Sequence, residues 1–116
     1  MYRTPELTAL LIALLLKRTA KRRIRFSVKT FLRLADRERK FSSFVHEVQK
    51  AAKDIGVVLI ELNRGGFGAT WASPLEGADS VLAKHYVPAA ERKKLTERAI
   101  LKELGLSETQ DEDEAA

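Results

Sequence analysis

The sequence predicts an α+β fold, mainly helical: a three-helix core, a two- or three-stranded β-hairpin, and a further helix towards the C-terminus. Three observations predict it. Phe41, Phe44, Val45, Val48, Ala51, Ala52 and Ile55 recur at the spacing that puts them on one side of a helix. Val57 to Leu62 and Phe67 to Ala72 read as strands around the turn Asn63-Arg64-Gly65-Gly66. Thr4 and Ser27 stand as capping residues ahead of two other helical stretches.

The first helix is expected over residues 5–21. Thr4 caps it, Pro5 is pre-set for the first helical position, and Glu6 suits the positive end of the helix dipole. Its middle, Leu7 with Leu10, Leu11, Ile12, Leu14, Leu15 and Leu16, leaves no polar stripe. A helix of that kind must be covered from more than one direction, and a second copy of the chain is the expected cover for the outer side. Ile24-Arg25-Phe26 alternates as a short strand would. A second helix over residues 28–37 turns Val28, Phe31, Leu32 and Ala35 inward and Lys29, Arg33 and Arg37 outward. The third helix spans residues 41–55, with Ser42 or Ser43 as its cap and Gly56 as a left-handed terminator.

Beyond Ser73-Pro74-Leu75-Glu76-Gly77 the pattern weakens. A short helix is expected over residues 80–86 and a last one from Pro88 through Leu104, ending before Gly105. Residues 1–106 are taken as one domain. Residues 107–116 are taken as an acidic disordered tail, with Asp111, Glu112, Asp113 and Glu114 together.

The net charge of +5 hides an asymmetry. Residues 1–40 hold twelve Lys and Arg against Glu6, Asp36 and Glu38, a net of +9, whereas the remainder is net acidic. Positive charge concentrated in one third of a small chain points to a polyanion partner. The apolar run at residues 7–16 is about half of the roughly 20 residues needed to span a bilayer, so no membrane partner is expected. With no cysteine, disulfides, thiol nucleophiles and Cys-ligated zinc are excluded, which suits a reducing cytoplasm.

Helix, short strand, helix, helix and hairpin is the element order of residues 5–73, and it resembles that of winged-helix DNA-binding domains. The resemblance implies that residues 41–55 form a recognition helix for the major groove and residues 63–67 a wing. The implied partner is double-stranded DNA, bound without a cofactor by a dimeric transcriptional regulator or mobile-element accessory factor. Helix three departs from the pattern in being less basic than many recognition helices, with Glu47 and Asp54 in it. Candidate phosphate contacts are Lys17, Arg18, Lys21, Arg22, Arg23, Arg25, Lys29 and Arg33. On helix three, Ser42, His46, Gln49, Lys50 and Lys53 face away from the apolar side; Ser42, Ser43 and His46 can bond phosphate or base edges near the helix start, and Arg64 stands at the hairpin tip. Gln49 has the amide geometry for adenine, and Lys50 can reach guanine. Two-fold symmetry through the leucine-rich helix predicts a palindromic site with half-sites one turn apart.

Other readings remain open: an architectural protein indifferent to sequence, an adaptor that binds protein, and RNA as the polyanion. Phe67 and Trp71 could stack on bases, although one tryptophan makes no platform, and Trp71 is expected in or over the core. An enzyme is not expected. His46 and His85 lack a second ligand at metal spacing, and Gly65-Gly66-Phe67-Gly68 lies in a hairpin rather than before a helix. The carboxylates follow no metal-nuclease pattern, and Ser27, Ser42 and Ser43 read as caps.

Overall fold

The computed structural model describes residues 2–106, which divide into two compact units after Ala78. The acidic run at residues 107–116 lies outside the described residues. Seven helices and one three-stranded antiparallel sheet are described. The first unit holds α1 (Pro5–Thr19), β1 (Arg23–Phe26), α2 (Val28–Ala35), α3 (Ser42–Asp54), β2 (Val57–Glu61), β3 (Phe67–Trp71) and α4 (Ser73–Glu76).

Local chemistry accounts for most element ends. The Thr4 side chain accepts from the Leu7 N–H, and that of Ser27 from the Thr30 N–H, as the capping expectation requires. Helix α1 stops at Thr19, two residues earlier than its periodicity suggests, because Ala20 turns left-handed at φ 59° and its N–H bonds back to the Lys17 carbonyl. Helix α3 starts without a side-chain cap. Phe41 occupies the N-cap position, so Ser42 and Ser43 lie inside the first turn instead of capping it. Phe41 and Ile55, expected on the apolar side, are 55% and 40% exposed, because both fall just outside the regular turns that face the core. Gly56, at φ +84°, follows the helix as expected.

The sheet order is β1-β3-β2. Phe26 pairs with Phe67 and Arg23 with Thr70 on one side of β3, while Val57 pairs with Trp71 and Glu61 with Phe67 on the other. Side chains alternate across this pleat. Phe26, Val57, Leu59, Phe67 and Ala69 are buried on the inner face; Arg23, Arg25, Val58, Ile60 and Thr70 fall on the outer one.

The core gathers the inner sheet face against Ile12 and Leu16 of α1, Phe31 and Ala35 of α2, and Phe44, Val45, Val48 and Ala52 of α3. Phe31 is its hinge. Its ring stacks on Phe67 with centroids 4.4 Å apart and meets Phe44 edge-on at 6.0 Å, and Phe67 in turn stacks on Phe26 at 5.8 Å. Phe67 is fully buried, so its ring is not presented for base stacking, and Trp71 is partly buried and packs against this cluster.

Three basic side chains are tied into the fold. Arg3 donates to the carbonyls of Arg33 and Leu34 at 3.0 Å each, satisfying last-turn acceptors of α2. Arg37 donates to the Arg3 carbonyl at 3.2 Å, and its guanidinium lies 3.6 Å from the Phe44 ring centroid and 4.7 Å from that of Tyr2. It therefore faces aromatic rings rather than the solvent side assigned to it from periodicity. Lys40 forms an ion pair with Glu61, joining the loop before α3 to the end of β2.

The second unit begins at Asp79 and contains α5 (Ala83–Tyr86), α6 (Ala89–Lys94) and α7 (Glu97–Glu103). The single helix expected from Pro88 to Leu104 is broken at Leu95-Thr96, where the Thr96 side chain accepts from the Ala99 N–H and caps α7 anew. None of its described residues is buried; Leu95 and Leu101 are half-buried. No helix among the described residues is long and apolar enough to cross a membrane.

Candidate nucleic-acid interface

The hairpin turn is built to project one arginine. Gly65 N–H bonds to the Leu62 carbonyl and Leu62 N–H to the Gly66 carbonyl, both at 3.0 Å, which leaves Asn63 and Arg64 at the tip. Gly65 and Gly66 have φ of +96° and +80°, a region closed to most side chains. Gly66 is also pressed against the β1–α2 junction, since a Cβ there would meet the Phe26 carbonyl oxygen at 2.7 Å. The hairpin backbone is thus seated on the segment that carries Arg25, Phe26 and Ser27.

That seating creates a concavity of about 340 Å³ lined by Arg25, Phe26, Ser27, Arg64 and Gly65. Arg25 and Arg64 are exposed on it, and Ser27 is the N-cap of α2. Lys29, exposed, follows in the first turn of that helix. Two guanidinium groups beside a helix start form a surface suited to phosphate oxygens, which guanidinium and backbone N–H groups both bind. The sequence names Arg25 and Arg64 separately. Their meeting depends on the Gly66 contact, for which only the glycine pair was a clue.

Helix α3 turns Ser42, Ser43, His46, Lys50 and Lys53 to solvent. Gln49 is different: it is half-buried and its side-chain amide donates to the Leu59 carbonyl at 3.2 Å. Strand β2 lies at the edge of the sheet, and Gln49 occupies a backbone acceptor there, so its amide is committed internally rather than offered to a base. Glu47 and Asp54 line a groove against α1 with Lys50 between them.

The remaining cations spread over other positions. Lys17 and Arg18 are exposed in the last turn of α1, and Lys21 and Arg22 follow in the connection to β1. Arg23 and Arg25 share the outer face of the sheet with Val58, Ile60, Gly68 and Thr70. Arg33 is exposed near the end of α2. Of the expected site residues, Arg25 and Arg64 are brought into one concavity, whereas Lys17 and Arg18 belong to a different helix end. Among the described residues, no group of three or more His, Cys, Asp or Glu is placed to hold a metal ion.

No family model, curated protein or solved structure matches this chain.

Proposed function

We propose that this chain is a double-stranded DNA-binding regulator of winged-helix type, with α3 as the recognition helix and the β2–β3 hairpin as the wing. The element order and the β1-β3-β2 sheet support the reading. The observation that carries it is the pairing of an outward α3 face, with Ser42, Ser43, His46, Lys50 and Lys53 exposed, with a hairpin tip whose Arg64 shares a concavity with Arg25. A helix inserted in a major groove is about 10–12 Å across with its side chains, so neighbouring phosphates fall to the flanking elements. Arg25, Lys29 and Arg64 are the cations offered for that role, Lys50 and Lys53 contact phosphate or base edges from α3, and Arg23 adds to the outer sheet face.

About six such contacts weaken binding by about a thousandfold between 50 and 200 mM salt, through re-uptake of condensed counterions. Titration of a labelled duplex at both salt concentrations, with enrichment from a random duplex pool, tests the proposal. Salt-dependent binding with an enriched motif is the expected result. Absence of duplex binding at the lower salt removes the proposal and leaves a protein-binding adaptor as the alternative. An RNA duplex is the matched control, since its narrow major groove does not admit α3.

One observation favours a second reading. With the Gln49 amide held by Leu59, the outward face of α3 has no carboxamide to pair with adenine. An architectural protein that binds backbone and shape fits that face as well. Strong binding without an enriched motif is its signature.

A further inference from the structure

We infer that the exposed side of α1 is the contact surface for a second copy of this chain, packed antiparallel across a two-fold axis. Ala9, Ile12 and Leu16 are buried in the core, while Leu7, Leu10 and Leu14 remain 44%, 53% and 38% exposed. These three leucines, continued by Lys17, recur at alternating intervals of three and four residues, which is the spacing of one straight seam along a helix. Leu10 also opens onto the groove of about 530 Å³ between α1 and α3, where Ala51 and the half-exposed Ile55 extend the apolar surface.

The charges around the seam select the occupant and its direction. Glu6 stands at the first turn of α1, and Glu47 and Asp54 line the same groove from α3 with Lys50 between them, three carboxylates against one ammonium, so this end is net acidic. Lys17 and Arg18 stand in the last turn. Glu6 and Lys17 are eleven residues apart, about 16 Å along the helix. A second α1 running the same way sets Glu6 beside Glu6 and Lys17 beside Lys17. Running the opposite way, about an axis level with Leu11 and Ile12, midway between Glu6 and Lys17, it sets each acidic end against a basic one. The surface is therefore self-complementary in one direction only, which is what an isologous dimer requires. Three partly exposed leucines make a patch at the small end of interface sizes, below the roughly 800 Å² per partner of a standard one, so a weak, reversible association is expected.

The contact does not rest on the nucleic-acid reading, and its test uses protein alone. Sedimentation equilibrium of the full chain from about 1 to 100 µM, where a weak dimer dissociates on dilution, is expected to show a monomer–dimer equilibrium. Leu10→Glu and Leu14→Glu each weaken it by at least about tenfold, with circular dichroism unchanged because both side chains are partly exposed. Glu6→Lys weakens it several-fold, and adding Lys17→Glu restores it. A monomer throughout that range, or a dimer indifferent to both leucine variants, overturns the proposal. A dimer broken by Leu10→Glu but not restored by the charge exchange overturns the antiparallel arrangement.

Discussion

Replacing Gly66 with alanine isolates the contact that seats the hairpin. Three glycines of the first unit have positive φ: Gly56 at +84°, Gly65 at +96° and Gly66 at +80°. Alanine at any of them is held in left-handed backbone, which costs about 1–2 kcal/mol. At Gly56 and Gly65 nothing lies within 4 Å of the added Cβ, so that strain is the whole effect. At Gly66 the methyl meets the Phe26 carbonyl oxygen at 2.7 Å, and the Ser27 Cα at 3.5 Å blocks one way out. A backbone atom cannot rotate aside as a side chain does; the hairpin must lift from the β1–α2 junction. Overpacking of that kind adds about 1–3 kcal/mol. Gly66→Ala should therefore lose about 2–5 kcal/mol and Gly65→Ala about 1–2 kcal/mol in urea unfolding of the two variants side by side. Equal losses for the two would refute the claim that the hairpin is seated by this contact. The same displacement moves Arg64 away from Arg25, so duplex affinity should fall more for Gly66→Ala than its stability loss explains.

Arg64→Ala should lower the salt slope of duplex binding by about 0.9 while stability stays within about 0.5 kcal/mol; an unchanged slope removes Arg64 from the interface. Gln49→Ala leaves the edge acceptor of Leu59 without its side-chain donor and should cost about 1 kcal/mol in chemical denaturation. Its motif enrichment should equal that of the parent chain, and a changed motif would return Gln49 to base reading. Arg37→Lys keeps the charge but loses the flat group stacked on Phe44, for an expected loss of about 1–2 kcal/mol with an unaltered salt slope. Phe31→Ala removes the ring shared by Phe44 and Phe67 and should cost about 3–5 kcal/mol; a loss below about 1 kcal/mol in the same denaturation series would contradict its central place.

The order of elements was legible because it is written in local signals. Thr4 and Ser27 cap helices, Gly56 ends one, and the glycine pair marks the hairpin; each acts within four residues of itself. What local patterns could not carry is direction at element ends and contacts across long loops. Phe41 and Ile55 obey the apolar period yet sit where the helix no longer repeats, so period alone overstates the core. The expected helix from Pro88 to Leu104 fails at Thr96, whose side chain competes for the backbone donor that would continue it. Gln49 lies on the polar side of the wheel, but its wheel position borders β2, a strand that begins eight residues later. For the candidate site, Arg25 and Arg64 are 39 residues apart, and their meeting follows from sheet order and from Gly66, neither of which a charge count contains.

Charge density is a count, whereas binding depends on where each charge is held. At least three of the twelve cations in residues 1–40 have internal duties: Arg3 on the carbonyls ending α2, Arg37 on Phe44, and Lys40 on Glu61. The bonds of Arg3 to α2, of Arg37 to the Arg3 carbonyl and of Lys40 to Glu61 link segments distant in sequence, so this charge contributes to the fold before any partner arrives. Lys17 and Arg18 lie at the basic end of a leucine seam whose opposite end is acidic, the arrangement proposed above for contact with a second copy of the chain, which requires no polyanion. The nucleic-acid reading consequently leans on a smaller set, Arg23, Arg25 and Lys29 with Lys50, Lys53 and Arg64, which spans both sides of the charge asymmetry. Half of that set comes from the stretch after residue 40, where the net charge is negative. Shape therefore selects the surface: a helix held outward and a turn held against β1 decide which few cations can reach a phosphate together.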